Sequence, residues 1–350
     1  GRFWGATVFN RFGIQLWGLI TAWSLGGGRC GPTVLAISFA AWWLFDGQQS
    51  QVSLEPVELI PDVSSLGKIA IAMTLFSFLS GLEVNGVHFR RVKHPNRAIP
   101  LSLLISVILV LTVSILGSLA VAILVPQDGE AMGAGPLQVF SVFLHQYGLE
   151  GWLPLLAICV LMGMVGHMVV WIIGPVETLR YAAKDGVIPP TFQKVNAALV
   201  PRNLLLAQGA IVTVICSLYL FIDMNSVFYI ATVVSAQLYL VMYILMFISA
   251  IVLRYTRADT ERPFRIPGGR FGIWLVAGTG ALVGLIGIIF LFVPPDSENI
   301  KMPSGTLFIG LVASSFVVAC LIPHFIYGLR KPQWRNANLE DIQHKQPMDF

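Results

Sequence analysis

The feature that most constrains this chain is the run from Leu101 to Val125, which carries no charged residue. Coiled as an α-helix at 1.5 Å per residue it is about 37 Å long, enough to cross a hydrocarbon core of about 30 Å. Comparable runs recur at Leu66–Phe89, Leu153–Val176, Leu204–Ile222, Val227–Leu253, Phe271–Val293 and Thr306–Tyr327. The stretch from Phe12 to Phe45 is also apolar but is interrupted by Gly26, Gly27, Gly28, Arg29, Cys30, Gly31 and Pro32. Too long for one straight span and too short for two, it reads as one broken or tilted span. Arg29 fits inside that span only if a wet cavity reaches it. The runs are unbroken rather than alternating, which excludes a transmembrane barrel. Charged residues make up only 11% of the chain, against about a quarter in soluble domains. The expected fold is therefore an all-α polytopic membrane protein with about eight transmembrane helices.

Charge orients the spans. Placing alternate loops in the cytoplasm, beginning with the lead-in, puts Arg2, Arg11, Arg90, Arg91, Lys93 and Arg97 inside. Arg180, Lys184, Lys194 and Arg202, the five arginines between Arg254 and Arg270, and Arg330, Lys331, Arg335 and Lys345 join them. That is 2+4+4+5+4 = 19 of the 22 Lys and Arg residues, as the positive-inside rule requires. The acidic loops Asp46–Asp62 and Gln127–Gly135 fall outside.

Within this frame the stretch Leu75–Pro100 stands apart. Its apolar run is interrupted by Ser80 and Gly81, and Glu83 follows at a depth where a carboxylate is expensive. Either the helix unwinds there to form a site, or Gly81 is a packing glycine and Glu83 snorkels to the interface. Pro95 and Pro100 mark a loop before the next span. His167, in mid-span, shares a helix face with Gly163 and Trp171; it titrates near neutral pH and either serves a site or bonds a neighbouring carbonyl. Thr232, Ser235, Tyr239 and Tyr243 recur at helical spacing, as a polar stripe facing the bundle interior or a wet cavity. Gly280-x-x-x-Gly284 permits close helix approach and is available for an oligomer contact. Cys30, Cys159, Cys216 and Cys320 have no metal-ligand spacing and read as buried packing residues. No phosphate loop, zinc-protease motif, nucleophile elbow or dinucleotide fingerprint occurs. No cofactor, metal site or nucleic-acid interface is expected.

Four stretches together carry a resemblance. HPNRAIP at 94–100, RYAAKDGVIPPTFQKVN at 180–196, ERPFRIPGGRFG at 261–272 and SGLE at 80–83, with VPP at 293–295 and the tyrosine pair, resemble the amino acid–polyamine–organocation superfamily. The glutamate/GABA antiporter branch of bacteria is the most similar. The resemblance implies an inverted-repeat permease fold of the 5+5, leucine-transporter type, present here in part. It places the family's fifth helix in residues 1–46, its helices six to ten in 47–254 and its last two helices in 255–329, with a cytoplasmic tail at 330–350. The family's first four helices have no counterpart, so further helices of the same protein are expected to precede a chain that opens at Gly1 without Met.

The resemblance also implies a substrate site at the unwound segment. Freed amides and helix ends of a broken helix can hold an amino acid's carboxylate and ammonium. Phe76, Ser77, Phe78, Ser80, Gly81, Leu82 and Glu83 are the residues concerned, with Phe76 or Phe78 either gating the substrate or making ordinary lipid or core contact. Glu83 is either a proton-coupled carboxylate or a structural acceptor. Tyr239 and Tyr243 match positions lining the transport path. His167 stands where the branch carries a carboxylate, a departure that counts against the glutamate/GABA pair while leaving the amino acid class intact. The expected function is amino acid antiport by alternating access, in a multi-pass protein of the bacterial inner membrane. A proton symporter or uniporter, and a non-transporting structural or regulatory subunit, are the rivals. Expected partners are the amino acid substrate, the lipid bilayer and another copy of the chain.

Overall fold

The computed structural model describes residues 30–53, 64–77, 80–81, 95–126, 135–195, 201–217, 224–260, 262, 265–295 and 304–334. All regular structure among them is helical: α1 (Gly31–Phe45), α2 (Leu66–Ser77), α3 (Pro95–Leu124), α4 (Gly135–Gln146), α5 (Leu153–Lys184), α6 (Arg202–Ser217), α7 (Met224–Thr256), α8 (Gly269–Ile273), α9 (Thr279–Phe290) and α10 (Gly305–Gly328). A π-helical turn, Trp274–Gly278, joins α8 to α9 without a break. Among the described residues five stretches are long and apolar enough to cross a membrane: α3, α5, α7, the continuous α8–α9 helix and α10. Shorter apolar helices, α1, α2 and α6, stand at the other three expected spans. The protein is an all-α polytopic membrane protein. Arg29 and the apolar run before it lie outside the described residues.

The chain divides into two compact units. One comprises Gly1–Ser53, Thr112–Leu218 and Pro323–Phe350. Its largest core joins Ala36, Ala40 and Trp43 of α1, Ala120, Ile123 and Leu124 at the end of α3, Val139, Phe140, Phe143 and Leu144 of α4, and Val160 of α5. Phe39 stacks face to face on Phe143 at 3.9 Å and meets Phe140 edge-on at 6.0 Å. Helix α4 was not anticipated from the sequence. It is too short to span, and it serves as a packing wedge. A smaller core pairs Val169, Ile172 and Val176 of α5 with Leu204 and Leu205 of α6. Gln193, buried in the loop between those helices, donates to the carbonyls of Ala183 at 2.7 Å and Trp334 at 2.8 Å.

The other unit comprises Leu54–Leu111 and Tyr219–Ile322. Its core gathers Tyr229, Val233 and Ala236 of α7 with Leu291, Phe308 and Val312, and Met73 of α2 packs against it. Three glycines let α9 approach α7. A β-carbon at Gly280 would lie 2.6 Å from the Phe247 ring, at Gly284 3.0 Å from Ile244, and at Gly287 3.0 Å from Leu240. The Gly280-x-x-x-Gly284 motif is therefore used inside the chain, not as the oligomer contact it was expected to offer.

Two further expectations are corrected. Helix α3 begins at Pro95 and carries Pro100 inside it, so the prolines do not delimit a loop. Proline suits a first helical turn, where N–H groups lack intrahelical partners. The cysteines are not buried: Cys30 and Cys216 are exposed, Cys159 and Cys320 half-buried, and none of the four is in a disulfide. In a membrane protein an apolar run faces lipid as readily as core, so apolar surroundings in sequence do not imply burial.

Candidate functional site

Helix α2 is regular as far as Ser77. Ser80 and Gly81 are not helical, and Gly81 adopts φ +109°, a conformation that only glycine enters without strain. An amide at membrane depth needs a partner, because no bulk water is there to supply one. Part of that need is met from 162 residues away: the Gly81 N–H donates to the Tyr243 hydroxyl at 3.0 Å. Ser80, Gly81, Tyr239 and Tyr243 are all half-buried.

Tyr243 is held in turn by its own helix. Tyr239, Tyr243 and Phe247 lie at i, i+4 and i+8 on α7, with ring centroids 6.3 and 6.5 Å apart. Phe247 rests on Gly280, where any side chain would collide with its ring. A continuous line of contacts thus runs from the glycine of α9 through the aromatic ladder to the backbone at Gly81.

The other residues of the expected stripe do different work. The Thr232 hydroxyl donates to the Phe228 carbonyl of the preceding turn at 2.8 Å, and Ser235 is exposed. Among the described residues, the polar side chains buried in this unit are instead Thr74, Ser226 and Gln237. Gln237 is completely buried, and among the described residues neither its amide nitrogen nor its carbonyl oxygen has a hydrogen-bond partner. Tyr229, two turns earlier on the same helix, is likewise buried. Sequence reading passed over Gln237, although a glutamine inside an apolar run is the same kind of signal as a mid-span histidine.

His167 belongs to the other unit, on α5. It is half-buried, and its ring meets Trp171 edge-on at 5.9 Å, the i, i+4 contact its spacing predicts. Of the remaining expected site residues, Phe76 and Ser77 close α2, while Phe78, Leu82 and Glu83 lie outside the described residues. No cluster of three or more metal-ligating side chains occurs among the described residues.

Residues 3–316 match the amino acid permease family. The chain belongs to that family. An uncharacterized transporter of Legionella pneumophila is 33% identical over 85% of this chain and 64% of its own length. Two glutamate/gamma-aminobutyrate antiporters of Lactococcus lactis, from the subspecies lactis and cremoris, are 28% and 29% identical. They cover 99% and 93% of this chain, and 69% and 65% of their own lengths. The chain spans about two thirds of the length of the curated relatives it matches. Neither the permease family nor these relatives are enzymes.

Proposed function

We propose that the protein is a secondary amino acid transporter that exchanges one substrate for another by alternating access, in the inner membrane of a bacterium. The observation that supports this most is the non-helical Gly81, its amide held by Tyr243, in a chain of the amino acid permease family. A substrate carboxylate or ammonium docks on freed backbone groups of the segment 76–83, and Tyr239 and Tyr243 line its path. Docking favours one arrangement of the helices over another, and so biases the equilibrium between inward-open and outward-open states. Two relatives are named glutamate/gamma-aminobutyrate antiporters, which favours exchange over one-way movement. His167 recommends a panel wider than that pair.

Proteoliposomes holding the complete protein test the reading. Vesicles preloaded with glutamate, glutamine, arginine or GABA are expected to take up external labelled amino acid, at pH 5 or pH 7. Empty vesicles are expected not to. Uptake that is indifferent to internal substrate identifies a symporter or uniporter instead. No uptake of any of the four under either condition defeats the proposal.

A further inference from the structure

The stretch from the last turn of α7 to the start of α8 holds Arg254, Arg257, Arg262, Arg265 and Arg270 against two acids, Asp259 and Glu261. One arginine is used within the loop. The Arg262 guanidinium folds back and donates to the carbonyls of Leu253 at 2.8 Å, Arg257 at 2.7 Å, Thr260 at 3.2 Å and Ala258 at 3.4 Å. These bonds cap the negative end of the α7 dipole, which would otherwise repel an anion. Arg257, Arg265 and Arg270 are exposed and Arg254 half-buried, and none of the four has a carboxylate partner among the described residues.

Tyr255 ties two of the elements together. It stands between Arg254 and Arg257 on the last turn of α7, with the Arg270 guanidinium 5.3 Å above its ring. Its hydroxyl accepts a hydrogen bond from the Trp274 indole N–H at 3.0 Å. Trp274 is 54% exposed and Phe271 76%. The turn between Arg265 and Arg270 is fixed in shape: Gly268 and Gly269 have φ +83° and +61°, and a β-carbon at Gly272 would lie 1.8 Å from the Pro267 carbonyl oxygen. Cations and a tryptophan–tyrosine pair are thus presented together where two membrane-length helices, α7 and α8–α9, emerge from the apolar layer.

We infer that this end of α7 and α8 is a binding site for the headgroup of an anionic phospholipid. Guanidinium groups suit phosphate oxygens, Trp and Tyr settle at headgroup depth, and basic side chains at the membrane edge attract anionic lipid. The site owes nothing to the transport reading, requiring only that the two helices cross the bilayer.

The test uses the full chain in phosphatidylcholine nanodiscs, to which brominated phosphatidylglycerol or brominated phosphatidylcholine is added. Tryptophan fluorescence is the readout. Brominated phosphatidylglycerol is expected to quench at a lower lipid fraction than brominated phosphatidylcholine, and Trp274→Phe is expected to remove that difference. Combining Arg265→Gln with Arg270→Gln is expected to raise the half-quenching fraction of the anionic lipid by about fivefold for each arginine removed, leaving the zwitterionic lipid unchanged. Equal quenching by the two lipids in the wild type overturns the inference. So does an unchanged midpoint in a double variant that melts normally. Should that variant not fold, the tryptophan comparison decides: a difference that persists in Trp274→Phe overturns the inference.

Discussion

Gly81 is where local conformation and proposed function coincide. Its φ of +109° penalises any β-carbon, by about 1–2 kcal/mol. Gly81→Ala is therefore expected to cut counterflow by at least about tenfold, measured in proteoliposomes at matched protein density. Tyr243→Phe removes the acceptor of the Gly81 N–H and is expected to cost about 1 kcal/mol of stability, read by thermal melting. A melt unchanged by that substitution would show the bond to be incidental. Gln237 is the opposite case, a buried amide with both ends unpaired among the described residues. Such an amide costs about 1–3 kcal/mol, so Gln237→Met is expected to raise the melting temperature by a few degrees. A fall would mean that the amide is satisfied in the protein's working environment. At this scale the sequence was half legible. A serine–glycine break before a carboxylate is visible in a row of letters, whereas the hydroxyl that answers its amide lies 162 residues away, beyond any local pattern.

Helices tell a similar story one level up. The spans were legible because hydrophobic length is a one-dimensional property. Helix α4 was not, since only its inward residues Val139, Phe140, Phe143 and Leu144 are strongly buried and twelve residues do not span. Its i, i+1, i+4, i+5 spacing is a helical signal that a search for long runs steps over. The glycine motif of α9 showed that something packs closely there; its partner, α7, follows only from three dimensions. Gly280→Ala is expected to push Phe247 aside, disturb Tyr243 and destabilise by about 1–3 kcal/mol, whereas Gly310, with nothing within 4 Å of a built β-carbon, is expected to accept alanine without effect. Equal melting of the two variants would separate the aromatic ladder from the helix contact. Between α1 and α4 the Tyr147 hydroxyl donates to Asp46 at 2.9 Å. Partial burial, and then the Asp46 carboxylate, push this phenol above its ordinary value of 10.0. The fold thus favours the neutral ring: the contribution is whole below pH 10 and is lost as pH rises through the raised value. An absorbance titration at alkaline pH, wild type minus Tyr147→Phe, is expected to show one tyrosine ionising late.

For the whole molecule, sidedness is the property on which transport direction depends, and charge alone argues it. The loop from Arg254 to Arg270 carries five arginines, while the connection between α9 and α10, residues 291–304, carries one lysine at 301 beside Asp296 and Glu298. Translocating the arginine-rich loop would move every one of those cations against the bias that retains basic residues inside. Ser304 and Arg265 are both exposed, at opposite ends of the helix that runs from Gly269 to Phe290 and its flanking turns. With the four native cysteines replaced, Ser304→Cys in intact cells is expected to react with a membrane-impermeant maleimide, and Arg265→Cys only after the cells are opened. Replacing the cysteines is needed because Cys30 and Cys216 are exposed and would add background. The reverse pattern would invert the orientation. It would leave the non-helical Gly81, the tyrosine that holds its amide and the arginine cluster standing, since none of these depends on which side faces the cell interior.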